Sequence, residues 1–246
     1  MDMRADSSLA EQFADALDWW REAGVDYDLA DTPRGWIAPE ARVEPVEQAL
    51  AAASEAAPAP PPEIDRSSWP SDLGAFAAWW LTEPWLDGGQ LGGRVAPRGG
   101  RGAELMVFVA EPEREDSAEL LSGPQGSLLA AILVAMGIAP EACYFASVLP
   151  RHTPHADWGL AAARGLGELA CHHVALAAPK RLIVFGTSIL PLLGHDPANF
   201  PAGAGEFQHG GMTLPKLAAR DLAVLLERPR WKAGFWQMWL DWTKNA

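Results

Sequence analysis

The sequence of 246 residues has few cysteines and no long apolar run. It contains 2 Cys and 2 Tyr, against 12 Trp. Two thiols cannot form a disulfide framework, and they cannot by themselves supply a four-thiolate zinc or iron–sulfur site. No segment reaches the ~18 apolar residues of a membrane-spanning helix. The N-terminus lacks a basic segment followed by an apolar one, so we expect no secretory signal and a cytoplasmic location.

Basic residues are also scarce, with 19 Lys and Arg against 32 Asp and Glu and a net charge of −13. This sign argues against a protein that coats nucleic acid through a uniformly positive surface. The charge is uneven, however. Residues 1–70 carry 15 acids and 5 bases (net −10), whereas residues 71–246 carry 17 and 14 (net −3). From residue 216 onward there are 6 bases and 3 acids, so local contact with DNA stays open.

A helix-capping signal and a Pro- and Ala-rich stretch predict that the chain consists of an arm, a linker and one domain. Residues 1–53 form an acidic helical arm, which begins at a capping box of Ser8 and Glu11. Apolar side chains follow at helical spacing, at Leu9, Phe13, Leu17 and Trp20. The Pro- and Ala-rich stretch 54–68 predicts a stiff linker, and residues 69–246 form the domain.

Short apolar runs alternate with helical segments along the domain. Strands are predicted at 104–110, 143–149, 181–185 and 212–217, and helices at 71–81 (capped by Ser71), 127–136, 160–177 and 229–242. This order predicts an α/β fold: a three-layer α/β/α sandwich around a central, mostly parallel, four-stranded sheet. Ligands of such sheets bind at the carboxyl ends of the strands.

The first two predicted strands end in polar residues. Glu111 begins an acidic loop, and a carboxylate there can orient water or stabilise a developing cation. We expect most acids of this loop to be solvated. The Ser147 hydroxyl either bonds a ligand or bonds neighbouring backbone. His152 and His155 are expected to be loop histidines in solvent, and no third residue is spaced with them for a metal site.

The third strand runs into Gly186, Thr187 and Ser188. Glycine allows close backbone approach to a ligand, and the free N–H groups of a following helix attract anions, although Thr187 or Ser188 can equally be an N-cap. After the fourth strand, Arg220 and Arg228 are candidate phosphate contacts. The spacing of the aromatic residues that follow, Phe235, Trp236, Trp239 and Trp242, favours core packing.

Five short segments of the sequence, taken in order, resemble the motifs of one family. They are Ala110–Glu113 (AEPE) with Glu115-Asp116, Gly123–Leu129 (GPQGSLL), Ala146–Pro150 (ASVLP), Val184–Gly186 (VFG) and Asp221–Pro229 (DLAVLLERP). Together they resemble the uracil-DNA glycosylase superfamily, closest to its bacterial iron–sulfur-type branch, over roughly residues 105–242. Residues 17–26 resemble, more weakly, an N-terminal helix of some bacterial members.

The resemblance implies a base-excision enzyme, which flips a damaged nucleotide into a pocket and cleaves its N-glycosidic bond. It implies a catalytic role for Glu111 at the sugar and water. Asp221 falls where the family has a histidine that stabilises the leaving base. Gly126, Ser147, Gly186, Thr187 and Ser188 are the implied substrate-binding residues. Ser147 replaces the family's asparagine, and a charged Asp221 would repel a base anion.

The cluster cysteines of that branch are missing. The stretch 81–102, where the family places its first pair, contains no Cys, and Cys143 and Cys171 do not fall on ligand positions. We therefore expect no iron–sulfur cluster, no metal and no other cofactor. The resemblance leaves two hypotheses: an active DNA glycosylase of altered specificity, or a degenerate, non-catalytic relative that binds DNA or a repair protein. A small-molecule-binding α/β protein is a third class.

Overall fold

A computed structural model describes residues 8–24, 66–194 and 203–244. The chain divides into two compact units, residues 1–59 and 60–246. In the first unit, helix α1 spans Leu9–Glu22 and has the predicted capping box. The Glu11 N–H donates to the Ser8 hydroxyl at 3.3 Å, and the Ser8 N–H donates to the Glu11 carboxylate at 2.7 Å. Most of the predicted linker, residues 54–65, lies outside the described residues, and Arg66–Ser68 forms one turn of 3-10 helix.

The second unit contains helices and strands in alternation, with one strand and one helix beyond those predicted. Its strands are β1 Leu105–Val109, β2 Cys143–Ser147, β3 Leu182–Phe185, β4 Gly203–His209 and β5 Met212–Ala219. Its α-helices are α2 Leu73–Thr82, α3 Pro124–Met136, α4 Trp158–Ala163, α5 Leu166–Ala177, α6 Leu222–Glu227 and α7 Pro229–Lys244. A 3-10 helix at Thr187–Leu193 follows β3.

The five described strands form one sheet in the order β2-β1-β3-β5-β4. The first four are parallel, and β4 pairs antiparallel with β5 at one edge. Gly210 and Gly211 join β4 to β5, and their φ angles of 56° and 82° are those that a type I′ hairpin turn requires. The sheet is therefore mostly parallel, as predicted, but has five strands where four were expected.

Alternate residues of each buried strand point to opposite sides of the sheet, so they pack in two separate cores. Leu105, Val107 and Val109 of β1 pack in a core with residues of α3, α6 and α7. Met106 and Phe108 pack in a second core with α5 and the 3-10 helix. A third apolar cluster joins α2 to α4 and α5. Strand β1 is fully buried, which is why it is a continuous apolar run without polar alternation.

The structure corrects several boundaries. Helix α2 begins after Asp72, whose carboxylate accepts from the Ala75 N–H at 3.0 Å, so the cap is Asp72 and not Ser71. The single helix predicted at 160–177 is two helices, because Gly165 adopts a left-handed conformation (φ 84°) between them. Strand β4 and helix α6 were not predicted. The first is rich in glycine, and the second is only six residues long.

Candidate functional site

The carboxyl ends of β1, β2, β3 and β5 lie along one edge of the sheet, here called the carboxyl edge. Backbone hydrogen bonds continue past the strand ends. The N–H of Leu149 donates to the carbonyl of Ala110 at 3.0 Å, and the N–H of Gly186 donates to the carbonyl of Ala219 at 3.0 Å. The segments after these strands are therefore held side by side. They contain Glu111, Ser147 to Thr153, Gly186 to Ser188, Arg220 and Asp221.

Glu111 is partly buried and contacts the segment that follows β2. Its carboxylate accepts a hydrogen bond from the Thr153 N–H. The same oxygen lies 3.6 Å from Nδ1 of His152, and this Nδ1 also lies 3.2 Å from the carbonyl oxygen of Pro112. Both side chains retain partial exposure, 26% for Glu111 and 32% for His152. This carboxylate–imidazole pair can accept or release a proton at the carboxyl edge.

Sequence reasoning missed His152, which it placed among solvent-exposed loop histidines. His155 is indeed exposed, but His152 is half-buried against the loop that follows β1. Nothing local in the sequence signals this contact, because Glu111 and His152 are 41 positions apart. Only the pairing of β1 with β2, which places Val109 beside Ser147, brings the two together.

Ser147 lies at the end of β2 with only 3% of its surface exposed. Its hydroxyl donates to the carbonyl oxygen of Leu149 at 2.7 Å. Of the two alternatives left open by the sequence, bonding to neighbouring backbone is the one observed. The hydroxyl proton is therefore already engaged.

Gly186 and Asp221 meet at the centre of the carboxyl edge. Gly186 has a φ of 122°, and a Cβ placed on it would lie 2.9 Å from Oδ1 of Asp221 and 3.6 Å from Cβ of Ala110. A larger residue is excluded by both the backbone conformation and the carboxylate. Asp221 precedes α6, but its side chain does not cap that helix. Burial raises the pKa of Asp221, and a hydrogen bond from its own backbone N–H opposes the shift in part.

Thr187 and Ser188 are exposed and begin the 3-10 helix directly after Gly186. Gly186 occupies the N-cap position and has no side chain to bond the first N–H groups of this helix. The turn is therefore a short 3-10 opening and not the start of a long α-helix, so its helix dipole is weak.

Gly126 lies in the first turn of α3, away from the strand ends in sequence. Its N–H donates to Oε1 of Glu113 at 2.8 Å, and a Cβ there would collide with the carbonyl oxygen of Leu121 at 1.8 Å. The glycine is thus required for close packing against the preceding loop, and its N–H is occupied.

The acidic loop after β1 is only partly solvated, contrary to expectation. Glu113 is 3% exposed and accepts the N–H groups of Gly123, Gln125 and Gly126 at 2.7–3.1 Å. Asp116 is 8% exposed and accepts three backbone N–H groups and the Ser122 hydroxyl at 2.8–2.9 Å. These two acids bind the N-terminus of α3 to the loop, whereas Glu115 is exposed.

The basic residues after β5 stand beside an indole ring. The guanidinium of Arg220 lies 3.7 Å from the centroid of Trp231, and that of Arg230 lies 5.2 Å from the same ring. Arg220, Arg228 and Arg230 are exposed. The later aromatic residues behave as predicted, with Phe235, Trp239 and Trp242 buried and Trp236 partly buried.

The stretch 81–102 is held to the carboxyl edge by an ion-pair network. Asp87 accepts from Arg94 at 2.5 Å and from Arg151 at 3.1 Å, and the Arg94 side chain is 1% exposed. Next to this network is a cavity of about 160 Å³, lined by residues that include Leu149, Arg151 and Thr153. A larger cavity of about 530 Å³ lies between β4, β5 and α7, and none of the predicted site residues lines it.

Comparison with protein-family models found no match, and comparison with curated proteins found no significant one. Within residues 8–24, 66–194 and 203–244, no three His, Cys, Asp or Glu side chains are grouped so as to hold a metal ion. In the same residues, no helix is both long and apolar enough to cross a membrane.

Proposed function

We propose that this chain is a uracil-DNA glycosylase-like protein that hydrolyses the N-glycosidic bond of a damaged nucleotide flipped into the carboxyl edge. The proposal includes the three-layer α/β/α arrangement of that superfamily, with β4 added to its four parallel strands. DNA is the partner, and the cytoplasm is the location. No cofactor takes part.

One observation carries this proposal. Three segments distant in sequence converge at Gly186, where a Cβ would lie 2.9 Å from Oδ1 of Asp221 and 3.6 Å from Cβ of Ala110. Ala110 directly precedes Glu111. The two acids that the resemblance assigns to catalysis are therefore carried by segments that meet at one glycine, in the part of a parallel sheet where ligands bind.

The burial of Asp221 bears on the objection that a charged carboxylate repels a base anion. Burial raises its pKa, which favours the neutral acid. A neutral carboxyl donates a hydrogen bond to a departing base, as carboxylic acids in other apolar sites do. The proposal therefore assigns Asp221 to stabilise the leaving base and Glu111 to act at the sugar and the attacking water.

Arg220 and Arg228 are the proposed phosphate contacts. Arg220 follows β5 directly and is stacked on Trp231, which limits its freedom before DNA binds. We expect Arg220→Ala and Arg228→Ala each to weaken binding uniformly across sequences and to reduce the slope of log K against log salt by about 1.

The experiment uses purified full-length chain and oligonucleotides, single- and double-stranded, that carry uracil, hypoxanthine or an abasic site. Cleavage and binding are both measured. Product that is lost in Glu111→Ala and kept in Glu115→Ala supports the enzyme, since Glu115 is an exposed acid of the same loop. Neither product nor binding at low salt contradicts any role on DNA.

The second candidate is a non-catalytic relative that binds DNA or a repair protein. The observation that favours it concerns Ser147, whose hydroxyl donates to the Leu149 carbonyl. This position has no side-chain amide, and its hydroxyl proton is already engaged, so it has no free donor to read a base edge. Salt-sensitive binding without product in the same experiment supports this candidate over the first.

A further inference from the structure

The contacts of His152 fit one tautomer of its neutral imidazole. Its Nδ1 faces two atoms that can only accept a hydrogen bond, the carbonyl oxygen of Pro112 at 3.2 Å and the carboxylate of Glu111 at 3.6 Å. A neutral imidazole carries one proton, so this proton is on Nδ1. The lone pair is therefore on Nε2, and the partly exposed ring presents a base.

The residues on either side of His152 are anchored. The Thr153 N–H is bound by Glu111, and the Thr153 hydroxyl donates to the Arg151 carbonyl at 3.1 Å. The Arg151 side chain in turn donates to Asp87 at 3.1 Å. Because both neighbours are tied to other segments, the imidazole is held in place by more than its own contacts. This is the arrangement of a general base with a carboxylate behind it.

We propose that His152 is the general base of the carboxyl edge and that Glu111 is its positioning residue. This inference rests on the proposed function. It changes the role of Glu111, which then acts on water through the imidazole and stabilises the imidazolium that forms.

The step is a hydrolysis. Nε2 of His152 takes one proton from a water molecule, and the water oxygen forms a bond to C1′ of the deoxyribose. The C1′–N bond breaks, and its electron pair leaves on the base. A proton from solvent, delivered directly or through Asp221, then neutralises the base, and His152 releases its proton to solvent. Water and nucleotide yield an abasic sugar and a free base, with no oxidant or reductant.

The test compares His152→Asn, Glu111→Gln and the double variant. An asparagine amide stands near the position of Nδ1, so it keeps a donor toward Pro112 but lacks the Nε2 base. We expect each single variant to lower kcat by about 10²- to 10³-fold with little change in KM. We expect the double variant to be no slower than the slower single variant, because each change disables the same Glu111–His152 pair. The control is His155→Asn, at an exposed residue with φ 57°, which asparagine tolerates.

The pH profile adds a readout that a merely structural role would not move. In a plot of rate against pH, an enzyme with an imidazole base loses activity below pH ~6.5, whereas one with a carboxylate base loses it below pH ~4. We expect the imidazole type of profile in the wild-type chain and in His155→Asn. Full activity in His152→Asn, or a loss of activity only below pH ~4, overturns the inference.

Imidazole ¹⁵N spectra of the wild-type chain separate this inference from the proposed function. The resonance of His152 is assigned by its absence in His152→Asn, and it should show a protonated Nδ1 and an unprotonated Nε2. Observation of the opposite tautomer refutes the role of His152 as a base positioned by Glu111, even if the chain is active. Absence of product from every substrate, together with the expected tautomer, refutes the proposed reaction and with it the catalytic role. If His152→Asn fails to fold, the wild-type pH profile still decides.

Discussion

Glu113 offers a sharp test of how the acidic loop holds α3. Its carboxylate is 3% exposed and accepts three backbone N–H groups. Oε1 takes those of Gly123 and Gly126, and Oε2 takes that of Gln125. We consider Glu113→Gln, which keeps the shape of the side chain but replaces one oxygen with an NH₂ group.

The magnitude follows from the three bonds. In the best orientation the amide oxygen keeps the bonds to Gly123 and Gly126, but each loses its charge assistance, at about 1 kcal/mol. The NH₂ group then faces the Gln125 N–H, so a buried donor loses its acceptor at about 2 kcal/mol. We therefore expect Glu113→Gln to lower the free energy of unfolding by about 4 kcal/mol.

The assay is urea unfolding followed by tryptophan fluorescence. The matched control is Glu115→Gln in the exposed part of the same loop, for which we expect a change below about 0.5 kcal/mol. The midpoint should fall in Glu113→Gln without a change in slope. Equal stability of the two variants would refute the conclusion that Glu113 holds the start of α3 to the loop.

Three further predictions concern buried groups. Burial first, and His172 second, lower the pKa of His173 to about 3, so the unfolded chain binds more protons below its ordinary pKa of 6.5. Stability should therefore fall by about 2 kcal/mol from pH 6.5 to 5, and less in His173→Gln, whose amide oxygen can still accept from the Tyr144 hydroxyl, which lies 2.7 Å from Nε2 of His173. Equal pH dependence in both proteins would contradict this. Asp87→Asn leaves the Arg94 guanidinium buried beside two carbonyl groups, at 3.0 and 3.2 Å, and should cost about 2–3 kcal/mol. Glu104→Gln, which breaks the more exposed pair with Arg181, should cost below about 1 kcal/mol, and a similar cost for both would contradict the network. Burial raises the pKa of the Cys143 and Cys171 thiols to about 11, so Ellman's reagent at pH 8 should react with both only after unfolding, and rapid reaction of the native chain would argue against their burial.

The strands and several helices could be predicted because their signals are local. Three fully buried parallel strands appear in the sequence as apolar runs, at Leu105–Val109, Cys143–Ser147 and Leu182–Phe185. The capping box of α1 is contained within four residues. The aromatic stripe of α7 repeats at three- and four-residue spacing, and its buried members follow that spacing.

Predictions failed where a distant partner decides the outcome. In a segment whose apolar pattern is continuous, Gly165 adopts an αL conformation (φ 84°) that separates α4 from α5. Strand β4 is glycine-rich and exists through its ladder with β5. Glu113 and Asp116 lie in a run of charged residues that is typical of a solvated loop. Most of their hydrogen-bond donors are backbone N–H groups at and just before the start of α3, which the fold brings next to this loop.

The sequence by itself therefore determined the alternating α/β order, the parallel sheet and the strand ends where a site would lie, since these follow from short-range hydrophobic patterns. The tertiary structure alone decided which polar groups meet. It joined Glu111 to His152 and bound Ser147 to its own backbone. It also placed Asp221 against Gly186 and Asp87 between two arginines. The physical reason is that side-chain chemistry depends on contacts between strands, and strand order is set by the packing of the whole sheet.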